Sequence, residues 1–95
     1  MRRPSAKAKK AFNEFYDGEK NPHHSEIVEY MEEGKFMIEI GKGRSAMTGE
    51  EFYGITVLEE LEDPGMFARR NELYEAGLES YKECLVYIGE EIATL

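Results

Sequence analysis

Apolar and polar positions change their period along the chain, and each change predicts a different element. Ala8, Ala11, Phe12 and Phe15 recur at helical spacing. Ser5 stands where an N-cap is wanted and Gly18 where a left-handed stop is wanted, so a helix is expected over about 5–17. Residues 18–24, punctuated by Asn21-Pro22, read as a loop. Ser25 can cap a second, short helix ending at Glu33, closed by Gly34. Ile27, Val28 and Met31 would form its buried side, and Glu26 and Glu29 would lie near its positive end.

From Lys35 to Lys42 the period drops to two. Phe36, Ile38 and Ile40 alternate with Met37 and Glu39, as in a half-buried strand. Phe52–Leu58 is a second such run, with Tyr53, Ile55 and Val57 on one side. The Gly43–Glu51 segment between them is longer than a tight hairpin turn and is expected to be mobile or used.

The last third carries the longest pattern. Asp63 can cap and Pro64 suits the first helical position. Phe67, Tyr74, Leu78, Tyr81, Leu85, Ile88 and Ile92 then fall on one stripe, opposite Glu72, Glu79, Glu83 and Glu90. This predicts a long helix over about 65–93. Gly77 and Gly89 each weaken that reading by about 1 kcal/mol relative to alanine. The expected fold is α+β in a single domain, 1–95: two N-terminal helices, a β-hairpin (about 35–42 and 52–58) and the long C-terminal helix. The alternative is α-β-β-β-α with a break near Gly77, residues 68–74 forming a third strand and Ser80 capping a shorter helix.

Geometry then bears on association. A helix of that length spans about 40 Å, whereas a seven-residue strand spans about 24 Å, so one hairpin cannot cover the whole stripe. A two-stranded sheet also leaves both edges open. Both arguments favour a homodimer, with Gly77 allowing close approach of another helix.

Composition sharpens the picture. Ninety-five residues suit one core, and 41% apolar with 34% charged residues suits a globular chain. The formal charge of −8 hides a division, because residues 1–10 hold Arg2, Arg3, Lys7, Lys9 and Lys10 and no acid. All 20 acidic residues therefore lie beyond this basic arm, which is expected to fray and to bind an acidic patch on its own subunit or a neighbour. A body that acidic repels nucleic acid and anionic membrane, so neither is expected as a partner. The single cysteine, Cys84, excludes an intramolecular disulfide framework. No apolar run has bilayer-spanning or signal-peptide length, so a reducing cytoplasm is expected.

Few residues suggest chemistry. Lys42, Gly43, Arg44 and Ser45 resemble a phosphate loop in offering glycine amides and positive charge. Ala46 stands where the dinucleotide pattern wants glycine, however, and the P-loop's Lys-Ser/Thr is absent. His23 and His24 read as exposed loop residues, with roles as cap or pH-sensitive contact open to them. Cys84 flanks the apolar stripe and reads as a buried, inert thiol. Glu59, Glu60, Glu62 and Asp63 form an acidic knot without the spacing of a calcium loop. No catalytic set, metal site or cofactor is expected.

The expected function is therefore a non-enzymatic interaction module of regulatory or inhibitor type, such as phage and mobile elements encode. It would bind a partner protein with a basic surface through Glu72, Glu79, Glu83, Glu90, Glu59 and Glu60. Imitation of a nucleic-acid backbone by the acidic helix face is one mode. Binding of a phosphorylated ligand or nucleic acid, through the Gly41–Ser45 loop and the basic arm, is the alternative.

Overall fold

A computed structural model describes residues 5–95. Arg2 and Arg3 of the basic arm lie outside the described residues. The chain forms helix α1 (Ala6–Phe15) and strands β1 (Glu26–Glu33), β2 (Phe36–Arg44), β3 (Glu51–Glu60), β4 (Phe67–Arg69) and β5 (Glu75–Leu78). Helix α2 (Tyr81–Tyr87) follows and widens into a π-helical turn, Ile88–Ile92. All strand pairings are antiparallel, in the order β1-β2-β3, and β4 and β5 both pair with the outer edge of β3.

The expected two N-terminal helices and long C-terminal helix are not what forms. Residues 26–33 are strand β1, not a helix. Ile27, Val28 and Tyr30 are β-branched or aromatic and favour a strand, and β2 offers an edge that needs a partner. Gly34, with φ +59, is not a helix stop. It is the first of two turn residues, where a tight hairpin wants glycine.

The predicted 65–93 helix is also corrected. Gly77 sits at φ +78, in the left-handed region, which a right-handed helix cannot contain. The segment before it satisfies its backbone on β3, with Leu58 opposite Arg69, Ile55 opposite Glu75 and Tyr53 opposite Leu78. Helix begins only at Tyr81, where Ser80 Oγ accepts from Glu83 N at 3.2 Å. The alternative topology anticipated the break and the Ser80 cap, but lacked β1 and drew one strand where two short ones flank a 3-10 turn (Asn71–Leu73).

The two strands expected at 35–42 and 52–58 do pair, and they run longer than expected. One parity of the sheet faces α2. Phe36, Ile38, Ile40, Ile55, Val57 and Met31 are buried there with Cys84, Ile88 and Ile92, which step by four along one side of the C-terminal segment. The other parity faces α1, where Ala8, Ala11 and Phe12 pack on Met37 and Leu58. Two alanines in that contact let the helix sit close to the sheet. Ser5 fixes its start, capping Ala8 N at 3.0 Å while its own N–H donates to Tyr30 O at 2.9 Å. No described helix is long and apolar enough to cross a membrane.

Candidate functional site: a polar chamber beneath α1

Three cross-strand rows lie on the α1 side of β2 and β3. Met37 faces Leu58, Glu39 faces Thr56, and Gly41 faces Gly54. The first row is the apolar seat of α1. The second is polar and the third has no side chains, so this half of the sheet cannot be closed by grease. The segment after α1 closes it instead, laying Asn21 and His24 over the two rows.

His24 fills the space above the glycines. A Cβ built on Gly41 would stand 2.2 Å from His24 Cγ, and one on Gly54 would stand 3.1 Å from Cε1. Glycine inside a strand marks such a close approach. The imidazole Nε2 lies 3.1 Å from Thr56 Oγ1 and 3.7 Å from Glu39 Oε1. Burial, reinforced by the positive charges of His23 and Arg69, pushes His24 down to about 4, so the ring is neutral at neutral pH. Thr56 Oγ1 also accepts from Asn21 Nδ2 at 3.2 Å, so the hydroxyl bridges the amide and the ring.

Glu39 is the unusual member. It is 1% exposed, and Oε1 accepts from Asn21 Nδ2 at 2.7 Å. Its cross-strand neighbour on β1 is Tyr30, whose hydroxyl favours the ionised carboxylate. Burial raises the Glu39 pKa, and Asn21 and Tyr30 only partly offset it. The same burial, with the carboxylate's negative charge, lifts Tyr30 to about 12. Among the described residues no lysine or arginine forms an ion pair with Glu39.

A cavity of about 210 Å³ opens beside this carboxylate. Phe12, Tyr16 and Tyr30 line it together with the buried Asn21 and Glu39 and the exposed Glu19 and Lys20. The Phe12 and Tyr16 rings are near-parallel with centroids 6.5 Å apart, and Tyr30 tilts against Phe12 at 5.7 Å. The Tyr16 hydroxyl is buried without a hydrogen-bond partner among the described residues. Lys20 Nζ is turned away, donating to Ser25 O at 2.8 Å.

The residues expected to act are dispersed. Glu59 pairs with Lys35 at 2.7 Å and Arg70 at 3.1 Å, Glu60 with Lys7 at 3.0 Å, and Glu72 with Arg70. These three carboxylates serve the protein's own cations, Lys7 of the basic arm among them. Glu79 follows β5, Glu83 lies in α2 and Glu90 in the π-turn, so no single acidic rail exists. Imitation of a nucleic-acid backbone loses its geometric premise with that rail, and the uncovered stripe that favoured a homodimer does not form either.

Glu83 and Glu90 do meet, with Lys82 and Glu91, around a groove of about 420 Å³ floored by Leu78, Val86 and Tyr87. In the other candidate loop, Lys42 and Arg44 both reach Glu51, at 3.7 and 3.8 Å, and Gly43 packs against Phe52. Ser45 Oγ accepts from Met47 N and Thr48 N within its own turn. Cys84 is buried, and desolvation pushes its thiol up to about 11, which fits an inert thiol. Among the described residues no cluster of His, Cys, Asp and Glu is arranged to hold a metal ion.

Reasoning from sequence placed both histidines on the surface and missed the Asn21–Glu39–Thr56 set. The legible signal was the pair of glycines inside otherwise strand-forming runs. No family model matches the chain, and neither a curated protein nor a solved structure matches it.

Proposed function

We propose that the protein is a non-enzymatic binding module that engages a basic segment of a partner protein along the outer side of α2. The observation that carries this reading is the groove over Leu78, Val86 and Tyr87. Its apolar floor is bordered by Glu83, Glu90 and Glu91 and opposed by one cation, Lys82. Positions 83, 86, 87, 90 and 91 share the outward side of the C-terminal segment, while 84, 88 and 92 are buried on the inward side. Val86 is 47% exposed and Tyr87 is pinned by its hydroxyl donating to Leu73 O at 2.8 Å, so the floor is held in place. A groove of this kind suits an apolar anchor flanked by lysine or arginine. A reducing cytoplasm, where the buried Cys84 stays a thiol, is the setting in which we place this interaction.

The test uses a fluorescently labelled peptide with a leucine flanked by arginines, read by anisotropy at rising salt. Glu90→Lys with Glu91→Lys is expected to weaken binding about tenfold and flatten the salt dependence, and Val86→Ser to weaken it with the salt dependence kept. Binding unchanged by both sets of substitutions overturns the reading.

A further inference from the structure

We propose that the cavity beneath α1 binds an alkylammonium group, its charge held against the buried Glu39 carboxylate and its alkyl part against the rings of Phe12, Tyr16 and Tyr30. This site lies across the sheet from the α2 groove and does not rest on it.

Three observations converge. The first is the carboxylate itself. A buried charge normally has an ionic partner or a metal, and Glu39 instead has one neutral donor in hydrogen-bond contact, the Asn21 amide at 2.7 Å, with Tyr30 as its cross-strand neighbour. His24 is 3.7 Å away, but its ring is neutral and directed to Thr56 at 3.1 Å. The second is the wall. Ring faces attract cations through their quadrupoles, most strongly where water is excluded, and Phe12, Tyr16 and Tyr30 line the same cavity as Glu39. The third is the Tyr16 hydroxyl, buried without a partner among the described residues. It accepts a hydrogen bond readily, and an ammonium group carries up to three N–H donors to share between it and the carboxylate.

Size and charge narrow the ligand. At about 30 Å³ per water in the liquid, the 210 Å³ cavity has room for a small alkyl amine. Drug-sized ligands need cavities of roughly 300 Å³ or more. An anion is disfavoured by Glu39, while Glu19 and Lys20, which also line the cavity, offset each other. The ammonium can come from a free small amine or from a lysine side chain presented by another protein.

Both sources are tested by ¹⁵N–¹H NMR titration at constant ionic strength with butylammonium chloride, with the lysine analogue N-acetyl-lysine methylamide, and with n-butanol as uncharged control. Butylammonium is expected to shift Tyr16, Asn21 and Glu39 resonances saturably, with a Kd on the order of millimolar and at least about tenfold tighter than butanol. If the lysine analogue shifts the same resonances, a protein side chain fits the site; if butylammonium alone does so, the ligand is a free amine. Glu39→Gln is expected to remove the preference for the charged ligand. Equal effects of butylammonium and butanol on the wild type, or no saturable shift at these residues, overturn the proposal. That comparison needs no variant, so it decides even if Glu39→Gln fails to fold. An unchanged butylammonium affinity in a folded Glu39→Gln protein overturns it as well.

Discussion

The two faces of the same sheet are built on opposite principles. Towards α2, β2 and β3 present Phe36, Ile38, Ile40, Ile55 and Val57, and their buried neighbours in that cluster are Met31, Leu73, Cys84, Ile88 and Ile92. Towards α1 the same two strands present Met37, Glu39 and Gly41 and, opposite them, Leu58, Thr56 and Gly54. The first face needs only matched volume to be stable. The second needs a histidine of the right shape, an amide, a hydroxyl and a carboxylate in one mutually hydrogen-bonded set, which a stable core does not require. A domain that can close one face with a mainly apolar cluster has no packing reason to bury a glutamate on the other. That contrast is the physical ground for placing ligand recognition beneath α1.

The sharpest break of the comparison is on the apolar face. Ile38→Ala or Ile88→Ala is expected to cost about 3–4 kcal/mol in chemical denaturation, since both side chains are fully buried in the larger cluster. If either variant costs less than any substitution beneath α1, stability does not reside chiefly on the α2 side, and the division drawn here fails.

The next effect is on pH dependence. The folded pKa of His24 is lowered to about 4 from 6.5. The unfolded chain therefore binds a proton that the folded chain refuses, and stability is lost as pH falls from 6.5 through about 4. The size is on the order of 3 kcal/mol. His23, also lowered by burial and by Arg69, acts in the same direction, whereas Glu39 acts in the opposite one. The readout is accordingly the difference between wild type and His24→Gln across this window. Parallel stability curves for the two proteins would show that the ring is not buried neutral.

Crowding above the glycines comes third. Gly41→Ala places a methyl 2.2 Å from His24 Cγ and is expected to cost about 2 kcal/mol, because β2 is central in the sheet and cannot retreat. The same substitution in a His24→Ala background is expected to cost clearly less, with a coupling of about 1–2 kcal/mol in a double-mutant cycle. Additive costs would mean that the imidazole does not occupy the glycine slot.

How much of this was legible in the sequence depends on what each residue had to meet. Helix α1 and the β2–β3 pair were readable, since Ala8, Ala11 and Phe12 need only one face and Ile38, Ile40, Ile55 and Val57 only one parity. Strand β1 was not. Ile27, Val28 and Met31 fit a short helix as well as a strand, and only the open edge of β2 decides between them. The C-terminal stripe misled because a spacing near 3.5 is also met by chance across two strands and a helix. Phe67 belongs to β4, Leu78 to β5 and Ile88 to the π-turn, each buried or half-buried for its own reason. The positive φ of Gly77 overrides the periodicity locally. For the chamber, Gly41 and Gly54 were visible signals, but their cross-strand alignment depends on register, and the burial of Glu39 depends on where the segment after α1 returns.

The smallest expected change in stability is the most telling for function. Burial raises the Glu39 pKa, so the folded chain holds that proton to a higher pH than the unfolded chain does. Its contribution is complete below the ordinary carboxylate range and is lost as pH rises through the raised folded value, leaving a net cost at neutral pH. Glu39→Gln removes the charge while keeping an oxygen for the Asn21 amide, which now donates to it across 2.7 Å. Thermal and chemical unfolding at neutral pH are expected to place the variant within about 1 kcal/mol of wild type, on the stabilised side, because a buried carboxylate without an ionic partner is costly to keep. A loss of about 3 kcal/mol or more would make the carboxylate a structural keystone and erase the contrast between the faces. A gain would show that the chain keeps a charge its fold is better without, and such a charge is what a cation-binding site requires.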